Sequence, residues 1–205
     1  MECDQQGVVF NAHYLVWADE QFQLTFFGTT LPTSWMITID AAFAFSMLVA
    51  VAWFWKWYGA RSGWEPDELG KMIIGSLFNI VGGLCLVMAA ATQGSGKIGL
   101  FWPVMFHLFN SIGFSHVLPV SLALFTRLAP RQFNATIVGI YYLAFFAANL
   151  IVGTVGGWYS SWDTVSFWLF HVATAAVGLA AFSLFKVLLA KRLMGDGRPE
   201  DAALA

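Results

Sequence analysis

Ionisable side chains within apolar stretches are the residues of this sequence that could do chemistry. Asp40 precedes the segment AAFAFSMLVAVAW, and His107 stands within FWPVMFHLFN. Asp4 and Asn11 lie seven residues apart, on one face of a first apolar stretch. Charged groups are costly inside a bilayer and mark solute or proton pathways there, and imidazole titrates near neutral pH. We therefore take Asp4, Asp40 and His107 as candidates for proton coupling.

Each candidate also has a structural alternative. Asp4 could lie near a membrane surface, because the sequence does not fix its depth. Asp40 could cap the first turn of a helix at the membrane edge. His107 could be a hydrogen-bonded packing residue, which is the commoner role of a lone histidine in a span. His116 falls on another part of the same helix, so that packing is the expected role there as well.

The composition indicates that lipid is the solvent around these residues. The chain of 205 residues is 59% hydrophobic, 17% aromatic and 11% charged, whereas a soluble domain carries roughly 25% charged residues. The net charge of −2 suggests no nucleic-acid partner. Cys3 and Cys85 lack disulfide or zinc spacing and are expected to pack. No phosphate loop, nucleophile elbow or metal motif is present, so we expect neither an enzyme nor a bound cofactor or metal.

Apolar stretches separated by short polar connections predict six membrane-spanning helices. The predicted spans are an incomplete one at 1–18 and then 34–57, 71–92, 99–127, 134–158 and 165–190. They predict an all-α polytopic membrane protein, with residues 1–193 as one helical bundle. The polar tail, residues 194–205, lacks periodicity and is expected to be disordered.

The distribution of Lys and Arg predicts the orientation. Successive connections lie on alternate faces of the membrane, and one face holds nearly all of the basic residues: Lys56, Arg61, Lys71, Arg127, Arg131, Lys186, Lys191, Arg192 and Arg198. The opposite face holds only Lys97. The positive-inside rule then predicts a cytoplasmic C-terminus, and we expect the membrane to be a bacterial inner membrane. Tryptophans near the span ends suggest an interfacial belt: Trp53, Trp55, Trp57, Trp102, Trp158 and Trp162.

The stretch from 113 to 153, GFSHVLPVSLALFTRLAPRQFNATIVGIYYLAFFAANLIVG, resembles a signature of the proton-dependent oligopeptide transporter family of the major facilitator superfamily. The matching positions are Gly113, Pro119, Arg127-Leu128-Ala129-Pro130, Gly139, Tyr142-Leu143-Ala144 and Asn149. CDQQGVV is similar to the family's seventh helix, SWMITIDAAF to its eighth, and Lys71 with Gly75 to the start of its ninth. The resemblance covers residues 1 to about 190. It implies the C-terminal half, helices seven to twelve, with an N-terminal six-helix half expected as partner.

The resemblance also implies roles for individual residues. Asp4 matches the acidic position of the seventh helix, which faces the transport pathway in relatives. Asp40 stands where the family usually has an Asn that binds the amino end of the peptide. Phe114 replaces the glutamate that the tenth helix usually supplies for substrate and proton. Tyr141 stands where relatives have Trp, as an aromatic wall or as interhelical packing.

The acid at Asp40 and the phenyl ring at Phe114 together suggest one hypothesis, that the carboxylate of the tenth helix has been relocated to Asp40. By helical spacing His107, Asn110 and Phe114 fall within a narrow arc and would line the cavity. The candidate substrate-binding residues are Asp4, Asn11, Asp40, Asn110, Phe114 and Tyr141.

The predicted function is half of a transporter in a lipid bilayer, importing di- or tripeptides by alternating access with the proton gradient as coupling agent. The alternatives are a relative with a non-peptide substrate and a structural or regulatory membrane subunit. A haem protein is a further alternative, which would use His13, His107, His116 and His171.

Overall fold

The computed structural model of the protein describes residues 25–26, 29–30, 34–92 and 99–188. Its five long helices are α1 (Ser34–Ser62), α2 (Glu68–Thr92), α3 (Phe101–Leu128), α4 (Asn134–Gly156) and α5 (Thr164–Leu188). A short 3-10 helix, Arg131–Phe133, leads into α4. Two strands, β1 (Thr25–Phe26) and β2 (Thr29–Thr30), pair antiparallel ahead of α1.

All five helices are long and apolar enough to cross a membrane. They lie over the second to sixth predicted spans, and the chain is an all-α integral membrane protein. The predicted first span and the tail fall outside the described residues. The strand pair was not predicted, because each strand has only two residues and lies where we expected a connection. Threonine, which supplies three of the four strand residues, favours extended backbone.

Helix α2 is the centre of the described bundle. It packs against α3 on one side and α5 on the other, while α1 packs against α3 and α4 has few contacts. One buried cluster joins Leu69 and Met72 to Leu124 of α3, and a second joins Leu86 to Phe167 and Trp168 of α5. The apolar centres of α1 and α4 contain no buried residue. These two helices therefore offer their surfaces to lipid or to another protein segment.

Glycines let α2 and α3 approach closely. A Cβ atom at Gly75 would lie 2.7 Å from Cβ of His116 and 2.8 Å from the carbonyl oxygen of Gly113. A Cβ at Gly113 would overlap the amide oxygen of Asn79 and lie 2.7 Å from the carbonyl oxygen of Gly75. Because side chains are missing at these points, the two backbones are in direct contact, which is the usual means of association in lipid.

Ion pairs join three helices at the end rich in Lys and Arg. Arg127, in the last turn of α3, donates to Glu68 at the start of α2 over 2.6 Å. Lys186, in the last turn of α5, pairs with Asp67 just before α2. The start of α2 is thereby tied to the ends of both helices that pack against it.

Candidate functional site

Two of the predicted candidates, Asp40 and His107, meet between α1 and α3. Nδ1 of His107 lies 2.8 Å from Oδ1 of Asp40. Each residue follows the first residue of its helix by six positions, which is about 9 Å of helix rise. The second and fourth spans run in the same direction across the bundle, so that equal distances from their starts bring the two side chains to the same depth.

This position rules out one of the alternatives. An N-cap residue stands immediately before the first helical turn, whereas Asp40 lies inside α1, which begins at Ser34. Its carboxylate forms a hydrogen bond with His107 of a neighbouring span instead. Asp40 is therefore an acid within a membrane helix, as its apolar sequence context predicted.

The pair can hold one exchangeable proton. When the carboxylate of Asp40 is ionised it can only accept hydrogen bonds, and Nδ1 of His107 then carries the hydrogen of this contact. Nε2 of the same ring is the second nitrogen that can bear a hydrogen. With Nε2 bare the pair carries a charge of −1, and with Nε2 protonated its charge is zero. The His107 side chain is 10% exposed and that of Asp40 is 40% exposed, so the carboxylate is the more accessible member.

Asn110 and Phe114 continue the His107 face of α3 in the next two turns. Both side chains are partly exposed, and Phe114 retains 38% of its surface. The face thus presents an imidazole, an amide and a phenyl ring in succession. The phenyl ring brings no charge, and Asp40 of α1 is the carboxylate beside this face in the described part of the chain.

Tyr141 of α4 forms hydrogen bonds with α3. Its hydroxyl lies 2.9 Å from the hydroxyl of Ser121 and donates to the carbonyl oxygen of Leu118 over 3.5 Å. Its ring also contacts that of Phe125, with centroids 5.7 Å apart. Of the two roles considered for Tyr141, interhelical packing is the one that these contacts describe.

His116 is held by two hydrogen bonds and has a packing role. The indole N–H of Trp55 donates to Nε2 over 2.9 Å, while Nδ1 lies 2.8 Å from the carbonyl oxygen of Ile112. The carbonyl requires a donor and the indole requires an acceptor, so the ring is the neutral tautomer with its hydrogen on Nδ1. Phe78 stacks on the ring with centroids 6.1 Å apart.

Trp55 is a residue whose role the sequence reasoning missed, because we placed it in the interfacial belt. It is half-buried and faces α3. Trp55 lies two positions from both Trp53 and Trp57, which puts it on the opposite side of α1 from them, but this spacing does not show which side faces α3.

The other predicted residues divide into two groups. Asp4, Asn11 and His13 lie outside the described residues. His171 forms a hydrogen bond through Nδ1 with the carbonyl oxygen of Phe167. Together with His107 and His116, each described histidine therefore has a hydrogen-bond partner in the protein. Within the described ranges, no group of three or more His, Cys, Asp or Glu side chains is placed to hold a metal ion.

Solved structures of transporters share this fold. A peptide transporter POT in complex with sulfate aligns with a TM-score of 0.77 at 22% identity, over 88% of this chain and 36% of that one. A POT family transporter in complex with 5-aminolevulinic acid aligns with a TM-score of 0.71 at 20% identity, over 83% of this chain and 35% of that one.

Sequence relatives and a family profile agree with the fold. Peptide transporter YePEPT of Yersinia enterocolitica is 26% identical over 98% of this chain and 39% of its own length. Uncharacterized transporter YclF of Bacillus subtilis is 28% identical over 75% of this chain and 30% of its own. The chain thus spans less than half the length of these relatives. The profile of the POT family matches residues 4–169, and this chain belongs to that family, the proton-dependent oligopeptide transporters.

Proposed function

We propose that this chain is the C-terminal six-helix half of a proton-coupled transporter that imports di- and tripeptides. Its alignment with 39% of a peptide transporter supports a second half that completes the cavity. Transporters of this superfamily enclose their solute between two such bundles, which rock about a site near the midplane. The clustering of Lys and Arg supports an inner-membrane protein with a cytoplasmic C-terminus.

The hydrogen bond between Asp40 and His107 carries the proposal. The family's glutamate is replaced by Phe114, and the pair supplies a carboxylate on the neighbouring helix instead. A proton on Nε2 of His107 brings the pair to zero charge, and a neutral pair is less costly to enclose in a closed cavity than a net charge. Loading a proton therefore favours the occluded state through which the two halves exchange access. The proton gradient is the driving force, and no other cofactor is proposed.

Uptake of a labelled dipeptide into proteoliposomes tests this role in the complete two-half transporter. Asp40→Asn removes the charge and keeps the shape. We expect gradient-driven uptake to fall about tenfold or more, since a charged hydrogen bond is worth about 1.5–3 kcal/mol. Counterflow exchange, which needs no net proton movement, is expected to persist. Thr174→Val, an exposed change on α5, is the matched control and should behave as the unmodified protein.

A double variant tests the relocation of the carboxylate. Asp40→Asn combined with Phe114→Glu returns the acid to the position usual in the family. We expect it to recover part of the gradient-driven uptake that Asp40→Asn loses. If Asp40→Asn alone leaves pH-dependent uptake unchanged, the relocation is wrong.

A non-peptide substrate is the second candidate, and Phe114 is the observation that favours it. A partly exposed phenyl ring offers apolar contact where relatives offer a charge for the amino end of a peptide. Competition by an N-acetylated dipeptide separates the two functions. A peptide importer that uses Asp40 for the amino end should bind the blocked peptide poorly, whereas indifference to acetylation favours a solute without an amino terminus.

A further inference from the structure

Four residues near the end of α1 form a surface that turns away from the bundle: Trp53, Lys56, Trp57 and Arg61, here called the α1 patch. The rings of Trp53 and Trp57 stack with centroids 6.1 Å apart and planes within 14°. They are 65% and 47% exposed. At about 100° per residue, Lys56 lies about 60° to one side of Trp53 and Arg61 about 80° to the other. Two cations therefore flank a stacked indole pair.

The opposite side of α1 is the one that contacts α3. Trp55, which donates to His116, lies about 200° around the helix from Trp53. Asp40, which accepts from His107, falls on the same side as Trp55. The α1 patch is thus directed outward from the described bundle.

Lys56 and Arg61 differ in their ion pairing from the other basic side chains at this end of the bundle. Lys71, Arg127 and Lys186 each pair with an acidic side chain near the start of α2. Lys56 and Arg61 are exposed, and within the described ranges neither forms an ion pair. Two positive charges therefore remain uncompensated beside exposed indole rings.

The length of α1 places the patch at the membrane surface. The helix has 29 residues and is about 43 Å long, which exceeds a hydrocarbon core of about 30 Å. The patch occupies its last third, so that this end reaches the headgroup layer. Indole rings favour that layer, and Lys or Arg side chains there attract anionic lipid.

We propose that the α1 patch binds the headgroup of an anionic phospholipid. Lys56 and Arg61 contact the phosphate from both sides, and the two indole rings pack against the glycerol backbone and the upper acyl chains. Charge complementarity selects an anionic over a zwitterionic lipid, because the patch carries two positive charges and no acid. This site is separate from the Asp40 and His107 pair, and its occupancy does not depend on transport.

Native mass spectrometry of the purified chain tests the proposal, with phosphatidylglycerol and phosphatidylcholine as probes. We expect phosphatidylglycerol to bind more tightly. Replacing both cations, Lys56→Gln with Arg61→Gln, is expected to weaken its binding roughly 10- to 30-fold. The control removes two cations that are already paired, Arg127→Gln with Lys186→Gln. It should leave the affinity for phosphatidylglycerol within about twofold.

Three outcomes would overturn the proposal. The first is equal binding of phosphatidylglycerol by the unmodified protein and by the variant that lacks Lys56 and Arg61. The second is equal binding of glycerol 3-phosphate, which would make the patch a site for free anions. The third is loss of lipid binding when the N-terminal half is present, which would make the patch an interface between the halves. Circular dichroism of each variant confirms that surface changes at Lys56 and Arg61 leave the helices intact.

Discussion

Gly113→Ala tests whether direct backbone contact between α2 and α3 holds the bundle together. The added methyl group would overlap the amide oxygen of Asn79 and lie 2.7 Å from the carbonyl oxygen of Gly75. Asn79 can turn its side chain away, but the carbonyl belongs to the α2 backbone and cannot. The two helices must therefore separate or shift, and the neighbouring contacts along the interface weaken with them.

Two opposing effects set the size of the change. Alanine in place of glycine within a helix normally stabilises the helix by about 1 kcal/mol. Overpacking a close interface costs about 1–3 kcal/mol, and more where neighbours cannot adjust. The overlap with Asn79 and with a fixed carbonyl puts Gly113 at the upper end of that range. We expect a net destabilisation of about 1–2 kcal/mol, seen as a lower thermal midpoint in detergent.

Gly139→Ala is the matched control, because nothing lies within 4 Å of the position that its methyl group would take. This variant should unfold at the same temperature as the unmodified chain or slightly above it. Asn79→Ala combined with Gly113→Ala should recover only part of the loss, since the contact with Gly75 remains. A Gly113→Ala variant as stable as Gly139→Ala would refute the close-contact account of this interface.

Two further predictions concern contacts near the other helices. A double-mutant cycle of Ser121→Ala and Tyr141→Phe should give a coupling of about 0.5–1.5 kcal/mol in unfolding experiments, and additive effects would show that their hydrogen bond contributes nothing. Burial raises the pKa of Tyr159, which lies between α4 and α5. Above about pH 10 the unfolded chain loses this proton before the folded one does, so stability should fall as the pH rises further. Tyr159→Phe should remove that part of the alkaline loss, and an unchanged alkaline profile would contradict it.

The sequence predicted helices better than it predicted which residues would meet. Five of the predicted apolar stretches correspond to α1 to α5, because length and hydropathy alone decide whether a helix can cross a bilayer. Asp40 and His107 were each identified, since an ionisable group in an apolar stretch is visible without a partner. Their contact was not predicted, because apolar residues occur on every side of α1 and its sequence does not show which side faces α3. The same uncertainty in rotation caused Trp55 to be assigned to the membrane interface.

Under the proposed relocation, Asp40 and Phe114, the two positions that differ from the family pattern implied by the resemblance, are physically linked through His107. An ionised Asp40 in a membrane helix needs a partner, and a neutral Asn at that position would not. His107 provides the partner at the same depth, and its second nitrogen allows the pair to reach zero charge. Once the carboxylate lies on α1, a second acid at position 114 would face the pair about 10 Å along α3 and add to the negative charge of the site. A phenyl ring at that position avoids the repulsion, and the proposed relocation of the carboxylate to Asp40 therefore accounts for Phe114 as well.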